Sequence, residues 1–439
     1  MNEIIIGRNE ADRKKYGMRG TILIGKQFIT MGTTTTLSGN IYMDVAGAHV
    51  VFICGKRGGG KSYTMGVIAE GLADIEPEIA QNLSIIMLDT MGIYWTMKYP
   101  NRSEAELLKE YNLKPKPLDI KIYTPQGFYY QYKEKGIPTD YPFTIKPSEL
   151  TASDWAMTFD IKETEPIGVL IERILFEFQD KGIDYDIDDI IAALERDQRA
   201  QPAIKDAAIN MFMNTKKWGV FSKQGTPLKE LAKGGQVTVL DVSCYATMNN
   251  GWKIKALVVG IVSQKLFVER MLARKDEEFA EINKTMSLFA SDKGVKQDMP
   301  LVWLVIDEAH EFLPREGKTA ASDALVTIMR EGRQPGISLI LATQQPGKIH
   351  TDVMTQSDTV LSHRITAKID VEALGMLMQS YMREGLVEAL DKLPRVKGAA
   401  ILFDDSNERM YPMRIRPRFT WHGGSSPTAI KEKGKGFEF

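Results

Sequence analysis

The chain has little of what marks disulfide-stabilised, zinc-binding or membrane proteins. It holds two cysteines, Cys54 and Cys244, and five histidines in 439 residues, with no C-x-x-C pair, which argues against a disulfide scaffold or structural zinc. Both cysteines lie in apolar runs, so we expect small buried thiols in a reducing compartment. Apolar runs are too short for a signal peptide or for a membrane span of ~18 residues. The sequence therefore predicts a cytoplasmic protein without a membrane partner.

An excess of charge of either sign is also absent. Lys plus Arg total 56 and Asp plus Glu total 57, a formal net charge of -1. The chain as a whole is not attracted to nucleic acid, so any contact with a polyanion must come from a local patch or from surfaces multiplied by oligomerisation. The apolar content of 43% and charged content of 26% are typical of a globular protein, and this length predicts two or three lobes.

Buried strands that alternate with helical patterns predict an α/β core with a parallel sheet. Apolar runs indicate strands within 48–54, 84–89, 236–242, 301–307, 337–343, 359–365 and 399–403. We divide the chain into a small β-rich N-terminal element (1–45), a core (46–97 and 236–424), a largely helical insertion (98–235) and a flexible tail (425–439). Within the insertion, the Pro-, Lys- and Tyr-rich stretch 98–150 predicts mostly loop with one strand near 120–123, and 151–217 predicts three or four helices.

A glycine-rich turn follows the first buried strand. The run Gly55-Lys-Arg-Gly-Gly-Gly-Lys-Ser62 matches G-x-x-x-x-G-K-[ST] and precedes a helical pattern, which is the context of a P-loop nucleotide site. Its backbone N–H groups can surround a polyanion, Lys61 can reach the β- and γ-phosphates of ATP, and the Ser62 hydroxyl can bind Mg²⁺. The alternative is a glycine-rich turn with an exposed lysine. The predicted nucleotide site comprises Gly55, Gly58, Gly59, Gly60, Lys61, Ser62, Tyr63 and Asp307.

A second acidic strand completes the P-loop pattern. The apolar run 302–306 carries Asp307 to the end of a strand, followed by Glu308. Asp307 is predicted to bind Mg²⁺ with Ser62, and Glu308 to polarise an attacking water. The alternative is a buried strand with an acidic exit turn. Asp89 also ends a strand, where it either caps the next turn or supports the site from behind.

Three further motifs carry a family resemblance. Residues 306–314 (IDEAHEFLP), 330–336 (REGRQPG) and 341–346 (LATQQP) resemble the HerA–FtsK superfamily of ring ATPases, and within it the HerA-like DNA translocases. Residues 414–424 resemble the C-terminal end of that branch. The resemblance covers 46–95 and 236–424. The lead-in before the P-loop is shorter than the β-barrel of many HerA relatives, and 98–217 has no motif assigned to it.

The resemblance implies a P-loop NTPase fold of the RecA-like type with an extra strand between the two motif strands. It also implies catalytic roles for Gln344, at the γ-phosphate or the water, and for Arg330 and Arg333, which would reach a neighbouring subunit's nucleotide. The alternatives are a turn residue for Gln344 and ordinary helix-end cations for the arginines. Arg364 is a third candidate for such an arginine, and Arg416 or Arg418 could close over a nucleotide from the tail.

The resemblance further implies a homo-hexamer that translocates or unwinds double-stranded DNA and acts with a nuclease or other effector, in DNA end processing or anti-phage defence. Lys293, Lys296 and Lys318 lie in polar loops and are candidate phosphate contacts, although solvated loop lysines are the ordinary interpretation. His310 is expected to pack or cap. The rival hypotheses are an ATP-responsive scaffold that organises an effector enzyme without much translocation, and a DNA-packaging ATPase.

Overall fold

The computed structural model describes residues 3–31, 34–286, 299–376 and 380–424. One mixed sheet of 13 strands runs through these residues, in the order β1-β3-β2-β13-β12-β11-β4-β10-β9-β5-β8-β6-β7. The strands are β1 (Ile4–Ile6), β2 (Thr21–Met31), β3 (Thr34–Asp44), β4 (Val50–Cys54), β5 (Leu83–Asp89), β6 (Ile120–Pro125), β7 (Tyr141–Phe143), β8 (Val237–Asp241), β9 (Leu301–Ile306), β10 (Ile337–Thr343), β11 (Thr359–His363), β12 (Ala399–Asp404) and β13 (Arg409–Ile415).

The eight strands from β11 to β7 are parallel, whereas β2, β3, β12 and β13 form antiparallel pairs. Alternate side chains of the central strands point to opposite faces. In β4, Val51 and Ile53 pack into one hydrophobic core and Phe52 and Cys54 into the other. Both faces are covered, and the continuous apolar runs of the sequence follow from that double burial.

Helices cover both faces of the sheet. They are α1 (Glu10–Tyr16), α2 (Lys61–Ala73), α3 (Pro77–Ala80), α4 (Ala105–Lys109), α5 (Gln126–Glu134), α6 (Ala152–Phe159), α7 (Pro166–Asp180), α8 (Ile187–Arg196), α9 (Pro202–Thr215), α10 (Leu228–Leu231), α11 (Gly251–Met286), α12 (Ser322–Glu331), α13 (Thr351–Gln356), α14 (Lys368–Gly375) and α15 (Ser380–Lys392). The predicted α/β class with a mostly parallel sheet is confirmed.

Helices α6 and α9 and the segment that follows α9 pack around one tryptophan. Trp155 is fully buried, and its ring centroid lies 5.4 Å from that of Phe159, 5.0 Å from Phe212 and 5.2 Å from Phe221. Capping boxes at Thr151 and Asp186 start α6 and α8, since each side chain accepts a backbone N–H that the helix leaves free. The helices predicted within 151–217 are therefore present.

The stretch 98–150 is more ordered than its composition predicts. It contains α4, α5 and two strands, and β6 pairs with β8 in the main sheet while β7 pairs with β6. The strand predicted near 120–123 is present as β6. The interpretation of the rest as mostly loop was wrong, because burial of Leu108, Tyr129 and Phe143 outweighs the flanking Pro and Lys residues. At the other end, the β2–β3 hairpin joins the same sheet through β13. The division of the chain into domains stays a prediction.

Candidate functional site

The glycine-rich turn lies between β4 and α2, at the carboxyl edge of the parallel strands. Gly58 and Gly60 have φ angles of 72° and 110°, a region that side-chain-bearing residues rarely adopt. A Cβ at Gly55 would lie 2.6 Å from Cβ of His363, so the turn also needs glycine for space. The glycine-rich turn 55–60, which we call the cradle, is therefore closely packed and leads directly into the N-terminus of α2, as the P-loop pattern predicts.

Lys61 is the first residue of α2, and its side chain is largely buried. Its ammonium group donates to the Lys56 carbonyl oxygen at 3.4 Å. Burial lowers the pKa of Lys61, although the carboxylates of Glu308 and Asp307 oppose that shift. The Lys61 ammonium group makes only this long hydrogen bond to its own loop, so it can turn to a phosphate. The two nearby carboxylates favour its charged form.

Ser62 and Asp307 meet at the predicted metal position. The Ser62 hydroxyl donates to Oδ2 of Asp307 at 2.7 Å, and Oδ1 accepts the backbone N–H of Glu308 at 2.8 Å. Burial raises the pKa of Asp307. The two side chains come from elements 245 positions apart in the chain, so their meeting agrees with the prediction that they share one ligand.

Glu308 and Gln344 also lie together. β10 runs between β4 and β9, which is the position that the extra strand of this fold was expected to take. The Gln344 side-chain amide donates a short hydrogen bond to Oε1 of Glu308. Glu308 has φ 50° and ψ 43°, a left-handed conformation that costs a non-glycine residue of order 1 kcal/mol and is often found at functional sites. The two residues predicted to handle the attacking water are thus in direct contact.

His363 supports the cradle and was missed by the sequence reasoning, which placed it inside a strand without a role. Its Nε2 lies 2.8 Å from the Thr64 hydroxyl and its Nδ1 lies 3.2 Å from the Ala399 carbonyl oxygen. Complete burial lowers the pKa of His363 to about 4, so the neutral ring donates from Nδ1 and accepts from Thr64. No local pattern links a histidine in β11 to a loop about 300 residues earlier.

Arg330 and Arg333 lie away from this chain's own cradle. Both precede the first residue of β10, whereas Thr343 at its far end pairs with Cys54 beside the cradle. Both are exposed, and with Arg274 they line an open surface cavity of about 670 Å³. Arg330 lies in the last turn of α12 and pairs with Asp352 at 2.5 Å, whereas Arg333 follows the helix. The spacing of the two arginines in the sequence predicts one turn of helix with both on one face; this is wrong for Arg333, since α12 ends at Glu331.

Arg416 and Arg418 are engaged within the chain. Both are buried, and both pair with the buried carboxylate of Glu70 in α2, at 2.8 and 3.2 Å. The idea that either closes over a nucleotide from the tail was wrong, because leaving Glu70 would strand a buried charge. Arg364 contributes its carbonyl oxygen to Lys56 N–H at 3.5 Å.

The remaining predicted residues have different surroundings. The Tyr63 hydroxyl donates to Glu104 at 2.8 Å and accepts the Arg418 N–H at 2.7 Å. Lys318 forms an exposed ion pair with Asp323 at 2.8 Å. Lys293 and Lys296 lie outside the described residues. Asp89 accepts the backbone N–H groups of residues 91, 92 and 94, so its predicted capping role is confirmed.

A glycine cradle, a neighbouring Ser–Asp pair and an acid–amide pair on the next strands define a P-loop nucleoside triphosphatase with an extra strand beside the cradle. The sequence profile of the family described as "Helicase HerA, central domain" matches residues 30–255, about half of the chain. The chain belongs to this family. Its glycine-rich turn, acidic strand end and following amide are those of the HerA–FtsK type of P-loop ATPase, which agrees with the resemblance found in the sequence.

Two archaeal proteins illustrate the sequence similarity. The "Probable DNA double-strand break repair helicase HerA" of Methanocaldococcus jannaschii is 27% identical over 168 residues, which is 36% of this chain and 32% of that protein. The "DNA double-strand break repair helicase HerA" of Pyrococcus furiosus is 28% identical over 104 residues, 24% of this chain and 18% of that protein. The aligned segments thus span about a third or less of these relatives.

A solved structure supports the fold. VirB4 of Thermoanaerobacter pseudethanolicus superposes with a TM-score of 0.53 and 13% identity, over 94% of this chain and 98% of that one. At this identity the likeness concerns architecture alone. None of the described helices combines the length and apolar character that crossing a membrane requires.

Proposed function

We propose that this chain is a ring-forming, Mg²⁺-dependent ATPase that translocates along or unwinds double-stranded DNA. The observation that carries the proposal is the separation of two sets of residues. Lys61, Glu308 and Gln344 lie at the carboxyl edge of the sheet, whereas Arg330 and Arg333 are exposed at the amino edge. Arginines so placed can serve a nucleotide only in another copy of the chain, which a ring of like subunits provides.

The chain's own residues fit ATP with Mg²⁺. Ser62 and Asp307 would hold the metal, whose positive charge would offset charge on the transferred phosphoryl group. Gly55 to Gly60 and Lys61 would orient the phosphates, and Glu308 would take a proton from the attacking water. The Ser62–Asp307 contact supports this assignment, because a hydroxyl and a carboxylate are oxygen ligands that Mg²⁺ prefers.

DNA contact is proposed for the pore of the ring. The net charge of -1 makes strong binding by one isolated subunit unexpected, whereas a few lysines per subunit multiply around a pore. Lys293, Lys296 and Lys318 remain the candidates. Such lysines would grip phosphates with little base preference. The names of the HerA relatives, which refer to repair of double-strand breaks, support DNA as the substrate.

A partner nuclease or other effector is part of the proposal. The helical layer of α6 to α9 carries large apolar side chains at its surface, with Val169 50% and Phe176 65% exposed, and it contributes none of the residues of the nucleotide site. A surface of this kind suits protein docking. A role in anti-phage defence or in DNA end processing would depend on that partner.

The test is displacement of streptavidin from biotinylated duplex DNA, together with DNA-stimulated ATP turnover. The intact chain should release streptavidin in the presence of ATP and Mg²⁺. Lys61→Ala and Glu308→Gln should abolish both activities. Turnover without displacement would favour the scaffold hypothesis, and unchanged turnover in both variants would overturn the assignment of the site.

A further inference from the structure

The carboxylate of Glu308 has one oxygen engaged and one without a hydrogen bond. Oε1 accepts from the Gln344 amide. Oε2 is buried and has no hydrogen-bond partner among the described residues. An orphaned buried carboxylate oxygen is costly, and here it belongs to the residue assigned to polarise the attacking water. The neighbour of Oε2 is His310, whose Nδ1 lies 3.5 Å away.

His310 connects the two turns that carry the reacting groups. It stands two residues after Glu308 on the turn that follows β9, and its Nδ1 lies 3.0 Å from the hydroxyl of Thr343 at the end of β10. Its Nε2 lies 3.5 Å from the side-chain amide of Gln345. Both ring nitrogens thus face the turn of Thr343 and Gln345 that also carries Gln344. The expectation that this histidine packs or caps does not explain why both of its ring nitrogens lie near that turn.

We propose that His310 is a positioning residue for Glu308 in ATP hydrolysis. In this proposal the Gln344 amide exchanges its contact with Glu308 for one with the γ-phosphate or the attacking water. When ATP binds, the Gln344 amide leaves Oε1, and Glu308 loses the only hydrogen bond that its carboxylate receives among the described residues. The N–H at Nδ1 of His310, shared with Thr343, then holds Oε2 and keeps the carboxylate aimed at the water.

Once Gln344 has left Oε1 and His310 holds Oε2, Oε1 is free to accept a proton from the attacking water. A water molecule gives its proton to Oε1 while its oxygen bonds to the γ-phosphorus. The bond from that phosphorus to the bridging oxygen breaks, and the electron pair remains on ADP. His310 forms no bond to substrate in this sequence. It fixes the rotamer of Glu308, a task for which imidazole is suited because its two nitrogens can bond to two different elements.

Two substitutions separate the roles of the ring nitrogens. The amide nitrogen of asparagine occupies nearly the position of Nδ1, and that of glutamine nearly the position of Nε2. His310→Asn should keep kcat within about threefold of the wild type. His310→Gln and His310→Ala should lower kcat by about 10- to 100-fold, the usual effect of removing a group that orients a reacting one. KM for ATP and binding of a fluorescent ATP analogue should stay unchanged in all three.

The control is the melting temperature of each variant compared with that of the wild type. A fall in melting temperature that parallels the fall in kcat would indicate a structural defect. Equal loss of kcat in the Asn and Gln variants would overturn the proposal, as would wild-type kcat in the Ala variant. A fall in nucleotide binding that parallels the fall in kcat would also overturn it, because His310 would then support the cradle instead of Glu308. Rescue by asparagine alone supports it.

Discussion

Glu70 and Arg418 form a buried ion pair against α2, with Oε1 of Glu70 3.2 Å from Nε of Arg418. The same carboxylate accepts from Arg416 and from the Thr420 hydroxyl, at 2.8 and 2.6 Å, and from the backbone N–H groups of Phe419 and Thr420. Residues 416–420, which follow β13, therefore hold the helix α2 in place through Glu70.

Replacing Glu70 by Gln should destabilise the protein strongly. Both guanidinium groups would lose their counter-charge while buried, which typically costs about 3–5 kcal/mol. Chemical denaturation should therefore show a large fall in the unfolding free energy. Glu388→Gln, which removes an exposed pair with Lys392, is the matched control and should cost under about 1 kcal/mol. Similar losses in the two variants would contradict the importance of burial at Glu70.

Glycine at position 60 should be required for space as well as for its φ angle. A Cβ at Gly60 would lie 3.2 Å from Cε1 of His363, whereas one at Gly317, with a φ of 77°, would meet no atom within 4 Å. Gly317→Ala therefore measures the conformational cost alone, ~1–2 kcal/mol. Gly60→Ala should lower the melting temperature further, and addition of His363→Ala should restore part of the difference. Equal effects of the two alanines would show that His363 imposes no constraint.

His49 should make stability depend on pH. It is buried between Asp358 and Asp44, at 2.9 and 3.1 Å. Burial opposes its charge, but the hydrogen bonds to those carboxylates prevail and raise the pKa of His49 to about 9. Because the folded pKa lies above the ordinary value of 6.5, the stabilisation is complete below about pH 6.5 and is lost as the pH rises through about 9.

Melting temperatures measured from pH 6 to pH 10 test this dependence. The wild type should lose stability across that window, and His49→Gln should remove most of the slope while lowering stability at pH 6. His350→Gln provides a comparison, since that ring lies 3.9 Å from Asp352 and is partly exposed. A slope that persists in His49→Gln would assign the titration to other groups.

A variant that lacks Arg330 and Arg333 should regain ATP turnover when it is mixed with a variant that lacks the carboxylate of Glu308. A chain with both arginines changed to Ala should lose ATP turnover by about 10³-fold or more, the range for arginines that act across an interface. Glu308→Gln should be inactive for a different reason. Mixing the two should recover activity, because some interfaces pair intact arginines with an intact Glu308. Arg274→Ala alters the same surface cavity and should leave turnover near the wild-type value.

The sequence predicts the nucleotide site well because its residues follow local rules. A glycine-rich turn, an acid at a strand end and an amide after the next strand each carry a signal within a few positions. Asp307, Glu308 and Gln344 were thus identified before their contacts were known. Glu70 and His363 were not, since their partners lie hundreds of residues away and neither belongs to a motif. The sequence predicts the strand β6 but not α5 or β7, because Pro, Lys and Tyr residues hide these short elements.

The junction between β13 and β2 has a consequence for biosynthesis. The Arg416 side chain bonds to the Leu23 carbonyl oxygen across 393 positions of sequence, and β13 is the strand that separates β2 from β12. During translation the edge of β2 that pairs with β13 therefore stays without its strand partner until the residues up to Ile415 have left the ribosome. Such an edge invites pairing with other nascent chains. Chaperone dependence of the newly made protein should accordingly end only with the release of β13.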